Sequence, residues 1–218
     1  MPELCRHFTV YLPDLPGFGQ SQSISGDHGV DDFVEFIDDF ALSVGLTSFY
    51  LVGHSMGGAI AMRYALEFQH KVKKLVIVDG MGVGKEIAPW VRFFSTAALC
   101  RSVGVCVVKL LRAVKWAVEA AYARVRFTNP LPLAAVLMGG SVGVLMAEAD
   151  SIVLRLATLM IPTLIVWGAK DRIVPVSNAY SAARLFPACE VYVFEKGGHF
   201  AYSREINKFT ALLAGFLR

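Results

Sequence analysis

The sequence predicts an α/β protein: a mostly parallel sheet with flanking helices and an inserted helical cap. Two observations carry that prediction. Short apolar runs alternate with segments of helical periodicity over residues 1–80 and again over 159–218, and the stretch 81–158 between them breaks the alternation. A chain of 218 residues, 55% hydrophobic and 18% charged, can bury one substantial core. The expected division is a core made of 1–80 and 159–218 with a cap of 81–158.

Each element has its own signal. Phe8 to Leu12 is a short β-rich run, closed by Pro13, Asp14, Pro16 and two glycines that form a loop. From Val30 the residues Phe33, Val34, Ile37, Phe40, Ala41 and Val44 recur at three and four, with aspartates on the other face, which predicts an amphipathic helix ending near Gly45. The acidic face of that helix is expected to be solvated. Phe49 to Val52 reads as a strand, followed by a glycine-rich turn and a helix over Ala59 to Phe68. Lys74 to Asp79 reads as a second buried strand. Strand character returns at Pro162 to Trp167 and Glu190 to Phe194, with a helix around Asn178 to Phe186 between them. A last helix runs from about Arg204 to Leu217.

Composition excludes several classes. A net charge of +3, with no basic run or RNA-binding aromatic signature, does not support a nucleic-acid partner. Cys5, Cys100, Cys106 and Cys189 show no C-x-x-C spacing, which fits reduced thiols of a cytoplasmic protein, and Met1 to Leu12 lacks the apolar stretch of a signal peptide. The uncharged run Leu131 to Ala147 holds Pro132, Gly139, Gly140 and Gly143, and reads as a buried element of the cap rather than a transmembrane span. Arg101, Lys109, Arg112 and Lys115 share a helical face in the cap. That face reads as its wet side, with weak contact to anionic lipid as the alternative. Gly80, Gly82, Gly84 and Lys85 lack the Ser or Thr a phosphate-binding loop requires, which argues against nucleotide binding, and no metal-ligand spacing such as H-E-x-x-H is present.

The chemistry-bearing pattern is Gly53, His54, Ser55, Met56, Gly57. It matches G-x-S-x-G, the tight strand-to-helix turn that lifts a serine hydroxyl above a sheet edge, where glycine avoids a clash with the neighbouring chain. A second match, Gly139 to Gly143 around Ser141, lacks a preceding strand and is read as small-residue packing. A serine nucleophile needs a base to take its proton and an acid to orient that base. Among five histidines, His199 follows the run ending at Phe194, which places it on a loop at the carboxyl edge of the sheet. His7, His28 and His70 are expected at the surface, and His54 is expected to shape the turn. Asp171 follows the apolar run ending at Gly168, and Asp79, which also ends a strand, is the rival acid. Ser55, Asp171 and His199 stand in the chain order nucleophile, acid, base.

Four blocks, Pro13 to Ser21 (PDLPGFGQS), Gly53 to Gly58 (GHSMGG), Pro162 to Pro175 (PTLIVWGAKDRIVP) and Gly197 to Phe200 (GGHF), together resemble the α/β-hydrolase superfamily, in its helical-capped esterase and carbon-carbon hydrolase branch. The resemblance implies a serine hydrolase acting on a small-molecule substrate without metal or organic cofactor, with the Met56 backbone N–H as one oxyanion donor. It also implies eight strands, three of them preceding the PDLPGFG loop together with a His-Gly loop that gives a second oxyanion donor. The sequence shows an N-terminally truncated version of that pattern, and Met1 is expected to be an internal methionine of a longer protein. The apolar cap points to a small lipophilic substrate. An ester is the leading substrate. A carbon-carbon bond beside a ketone and a noncatalytic binding protein of the same fold are the alternatives.

Overall fold

The computed structural model describes residues 2–22, 29–83 and 152–218. Four strands, β1 (Phe49–His54), β2 (Val72–Val78), β3 (Thr163–Gly168) and β4 (Cys189–Phe194), form one sheet in the order β1-β2-β3-β4. Every neighbouring pair is parallel. The α-helices among the described residues are α1 (Pro2–Cys5), α2 (Val30–Ser43), α3 (Met56–Glu67), α4 (Ser177–Ala183) and α5 (Ile206–Leu217). Each predicted core helix and strand after residue 29 is present, with ends moved by a few residues.

Two-residue alternation along the strands divides the core into two layers. Leu75 and Ile77 of β2, with Ile165 and Trp167 of β3, pack under α2, α3 and α4. Val76, Val78, Leu164 and Val166 face the other way, against Leu4 of α1 and Phe209, Leu213 and Leu217 of α5. A parallel sheet covered on both faces leaves no polar side to its central strands, which is why β3 is buried at all six positions and reads as a continuous apolar run.

Phe8 to Leu12 is not a strand. A strand exists only where its backbone groups find a ladder partner, and among the described residues this segment has none. Its side chains still pack: Phe8 stands edge-on to Tyr50 at 5.8 Å, and Tyr11 to Phe40 at 5.9 Å. The acidic face of α2 is exposed at Asp31, Asp32, Glu35 and Asp39, as expected, and half-buried at Asp38. Asp31 pairs with Arg63 at 2.9 Å, and Asp38 accepts hydrogen bonds from Lys71 Nζ at 2.7 Å and Tyr64 Oη at 2.8 Å. These bonds tie α2 to α3 and to the turn that leads into β2.

The cap assigned to 81–158 falls mostly on residues 84–151, outside the described residues, as do Ser141, the run Leu131 to Ala147 and His28. Among the described residues, no helix is long and apolar enough to cross a membrane, and no cluster of potential metal ligands occurs.

Candidate active site

The four strands end almost level, His54 opposite Val78, Val78 opposite Val166, and Gly168 opposite Phe194. The residue after each strand therefore opens onto one edge of the sheet, the carboxyl edge where ligands bind in parallel α/β folds. Ser55 follows β1, Asp79 follows β2, Asp171 lies three residues beyond β3, and His199 lies five beyond β4.

Ser55 is held at φ 54°, ψ −118°, in the left-handed half of backbone space. Such a conformation in a non-glycine residue costs on the order of 1–3 kcal/mol and persists only where the surroundings enforce it. Here Ser55 N–H donates to Val78 O at 3.0 Å, and Ser55 O accepts from Gly58 N at 2.9 Å and Met81 N at 3.0 Å. The turn is so tight that a Cβ on Gly53 would collide with the Gly57 carbonyl oxygen. Of the two glycines in the motif only Gly53 is required for space, since a Cβ on Gly57 would meet nothing within 4 Å. Helix α3 begins immediately, at Met56 rather than near Ala59. The Met56 N–H thus belongs to a first helical turn, whose donors lack intrahelical acceptors.

The structure brings the three predicted side chains into one hydrogen-bonded line. His199 Nε2 lies 2.9 Å from Ser55 Oγ, and His199 Nδ1 lies 2.8 Å from Asp171 Oδ2. All three residues are buried. Asp171 uses its other oxygen, Oδ1, to accept from Ile173 N at 2.8 Å and Val174 N at 3.0 Å, so its carboxylate is fixed by its own loop. That loop is pinned in turn by Trp167, whose buried indole N–H donates to Val174 O at 3.0 Å. The acid and base loops touch closely at Gly168, where a Cβ would collide with the Gly198 carbonyl oxygen. Lys170 N donates to Gly197 O at 2.8 Å across the same seam.

Asp79, the rival acid, does something different. Fully buried and at φ 45°, it accepts from Gly168 N at 2.8 Å on Oδ1 and from Ala201 N at 2.9 Å on Oδ2, both backbone donors. His54, expected to shape the turn, also reaches across it: its Nε2 lies 2.7 Å from the His199 carbonyl oxygen and 3.9 Å from Asp79 Oδ2, and its ring stacks on Phe200 at 5.0 Å. A carbonyl only accepts, so this nitrogen carries the proton. The sequence signal for Asp79 is an apolar strand that ends on a carboxylate. No sequence signal distinguishes the His54 contact, because it spans 145 positions.

Burial pushes the Asp79 carboxyl up from 3.8 to about 6, with the Asp171 charge adding to the rise and the Ala201 and Gly168 N–H groups opposing it. Burial likewise lowers His54 from 6.5 to about 4, against its hydrogen bond to the His199 carbonyl. The two shifts have opposite consequences for stability. A raised carboxyl contributes stability that is present at low pH and lost as pH rises through about 6. A lowered imidazole contributes stability present above 6.5 and lost as pH falls through about 4. Between those limits the terms oppose each other. Urea unfolding of His54→Gln, compared with the parent at successive pH values, is expected to show a deficit that grows as pH rises from about 4 to about 6.

With this geometry in hand, the likeness to known proteins has a physical basis. The sequence pattern of the alpha/beta hydrolase family matches residues 1–208. The chain is 26% identical over 241 residues to the 2-hydroxy-6-oxo-2,4-heptadienoate hydrolase of Pseudomonas putida, covering 100% of this chain and 81% of that protein. It is 27% identical over 235 residues to an uncharacterized protein of Mycobacterium tuberculosis, covering 99% of this chain and 69% of the other. Among solved structures, the 2-hydroxy-6-oxo-6-phenylhexa-2,4-dienoate hydrolase of a Rhodococcus species superposes with a TM-score of 0.69 at 22% identity, over 99% of this chain and 82% of that one. A family match over nearly the whole length, on a doubly covered parallel sheet with the strained serine turn at its carboxyl edge, makes this chain a member of the alpha/beta hydrolase family.

Proposed function

We propose that the protein is a serine hydrolase in which Ser55 attacks a substrate carbonyl, His199 moves the proton and Asp171 orients His199. The observation that carries this reading is the unbroken line Ser55 Oγ, His199 Nε2, His199 Nδ1, Asp171 Oδ2, with separations of 2.9 and 2.8 Å. As Oγ bonds to the carbonyl carbon, its proton passes to Nε2, and Nδ1–H keeps its bond to the Asp171 carboxylate. The negative charge on the carbonyl oxygen is held by the Met56 N–H. A single oxyanion donor is worth about 10²- to 10³-fold in rate. Collapse expels the leaving group, which takes the proton from Nε2. Water then repeats the sequence on the acyl-serine, with His199 again accepting and returning the proton. The base must be neutral to accept this proton, and the Asp171 carboxylate, bonded to Nδ1, leaves Nε2 facing Ser55 Oγ as the accepting atom.

A small lipophilic ester is the substrate this relay serves directly, and the apolar sequence of 81–158 supports that choice. The second reading, hydrolysis of a carbon-carbon bond beside a ketone, is favoured by the two named relatives that are hydrolases of 2-hydroxy-6-oxo-2,4-heptadienoate and of 2-hydroxy-6-oxo-6-phenylhexa-2,4-dienoate. The test is fluorophosphonate labelling of the purified protein with mapping of the adduct, followed by turnover of p-nitrophenyl butyrate and of 2-hydroxy-6-oxo-2,4-heptadienoate in parallel. Labelling at Ser55 with ester turnover is the expected result. Preference for the dienoate transfers the assignment to the second reading, and labelling elsewhere, for example at Ser141, overturns the nucleophile.

A further inference from the structure

Asp79 and His54 belong to neither end of the proton relay, yet both bind the short turn that carries its base. Asp79 Oδ2 accepts from Ala201 N at 2.9 Å, two residues after His199, and His54 Nε2 donates to the carbonyl of His199 itself at 2.7 Å. These are the backbone groups on either side of Phe200. With both fixed, the plane of the turn from which the His199 side chain departs is fixed as well. The other oxygen of Asp79 accepts from Gly168 N at 2.8 Å, three residues before Asp171. One buried carboxylate therefore spans the loop that bears the acid and the turn that bears the base. An amide in its place can satisfy only one of the two N–H groups, because it presents a single acceptor oxygen.

We propose that Asp79 and His54 are positioning residues, which hold the backbone of the His199 turn so that the imidazole bridges Ser55 and Asp171. The proposal rests on the proton-relay reading of Ser55, Asp171 and His199. It explains why a carboxylate occupies a fully buried position where burial opposes its charge. It also explains why the residue before the serine is one that can donate a hydrogen bond while its ring lies against Phe200. Misplacing a catalytic group by about 1 Å costs up to about 100-fold in rate, so loss of one anchor is a kinetic event even where the fold survives.

The experiment compares His54→Phe, which keeps an aromatic ring against Phe200 but has no donor, with His54→Gln, which retains an N–H donor, and adds Asp79→Asn. Three quantities are read on each purified variant: the rate of fluorophosphonate labelling at Ser55, kcat and KM for p-nitrophenyl butyrate, and the 15N NMR shifts of the His199 ring. His54→Phe is expected to slow labelling and kcat about tenfold with KM within about twofold, and His54→Gln to recover most of the loss. The His199 nitrogen shifts are expected to move in His54→Phe and Asp79→Asn and to stay near the parent in His54→Gln. If folded His54→Phe labels at the parent rate with unchanged ring shifts, the proposal is overturned; equal losses in His54→Phe and His54→Gln overturn the donor role. Should Asp79→Asn fail to fold, the His54 pair still decides. Should the parent not label at Ser55, the serine hydrolase reading fails by itself, and the ring shifts continue to report whether the turn is held.

Discussion

Replacing Ser55 by alanine is expected to lower turnover by about 10⁴-fold or more and to abolish fluorophosphonate labelling. The substitution removes one oxygen atom and leaves the main forces at the turn intact. The hydrogen bonds that hold the φ 54° conformation all run through backbone atoms, from Ser55 N to Val78 O and from Gly58 N and Met81 N to Ser55 O. Gly53 still gives way to the Gly57 carbonyl. Thermal unfolding of Ser55→Ala is therefore expected to stay close to that of the parent, so lost activity reports lost chemistry. Ester turnover retained within about tenfold would place the nucleophile elsewhere.

Asp171→Asn carries the second large effect, about 10³- to 10⁴-fold in kcat. The amide oxygen can keep the bonds that Asp171 Oδ1 accepts from Ile173 N and Val174 N, so the loop keeps its shape. The NH₂ group then faces His199 Nδ1, where the carboxylate accepted a proton donor before. His199 answers by exchanging tautomers: Nδ1 accepts from the amide, and Nε2 carries the proton toward Ser55. A protonated Nε2 cannot take the serine's proton. Measurement of kcat beside a thermal melt separates this from unfolding. A variant that keeps kcat within about tenfold would mean that another carboxylate supports His199, and Asp79 is the group nearest to that role by position in the fold.

The likeness between sequence reading and structure is greatest where a single local pattern decides the outcome. The continuous apolar runs of β2 and β3 predict buried parallel strands because both faces of such strands are covered. The stripe Val30, Phe33, Val34 and Ala41 predicts the buried face of α2. The G-x-S-x-G pattern predicts the tight strand-to-helix turn at Ser55, and the structure adds its left-handed φ of 54°. Failures occur where the partner is remote. Phe8 to Leu12 has the composition of a strand, but pairing is decided by a neighbour that composition does not contain. Asp38 looks like one more solvated acid on α2, and becomes a link to Tyr64 and Lys71 only once α3 folds beside it.

The sequence by itself determined the fold class, the strand-turn-helix around Ser55, and the placement of Asp79, Asp171 and His199 after apolar strands, because these depend on periodicity, turn chemistry and position along the chain. Only the tertiary structure shows what each of the two carboxylates that follow buried strands touches. Asp171 points an oxygen at the His199 ring, and Asp79 spends both of its oxygens on backbone N–H groups of the flanking loops. The reason is geometric: a side chain's direction at the carboxyl edge is set by the φ of its own residue and by the donors that neighbouring strands deliver, and neither is local in sequence.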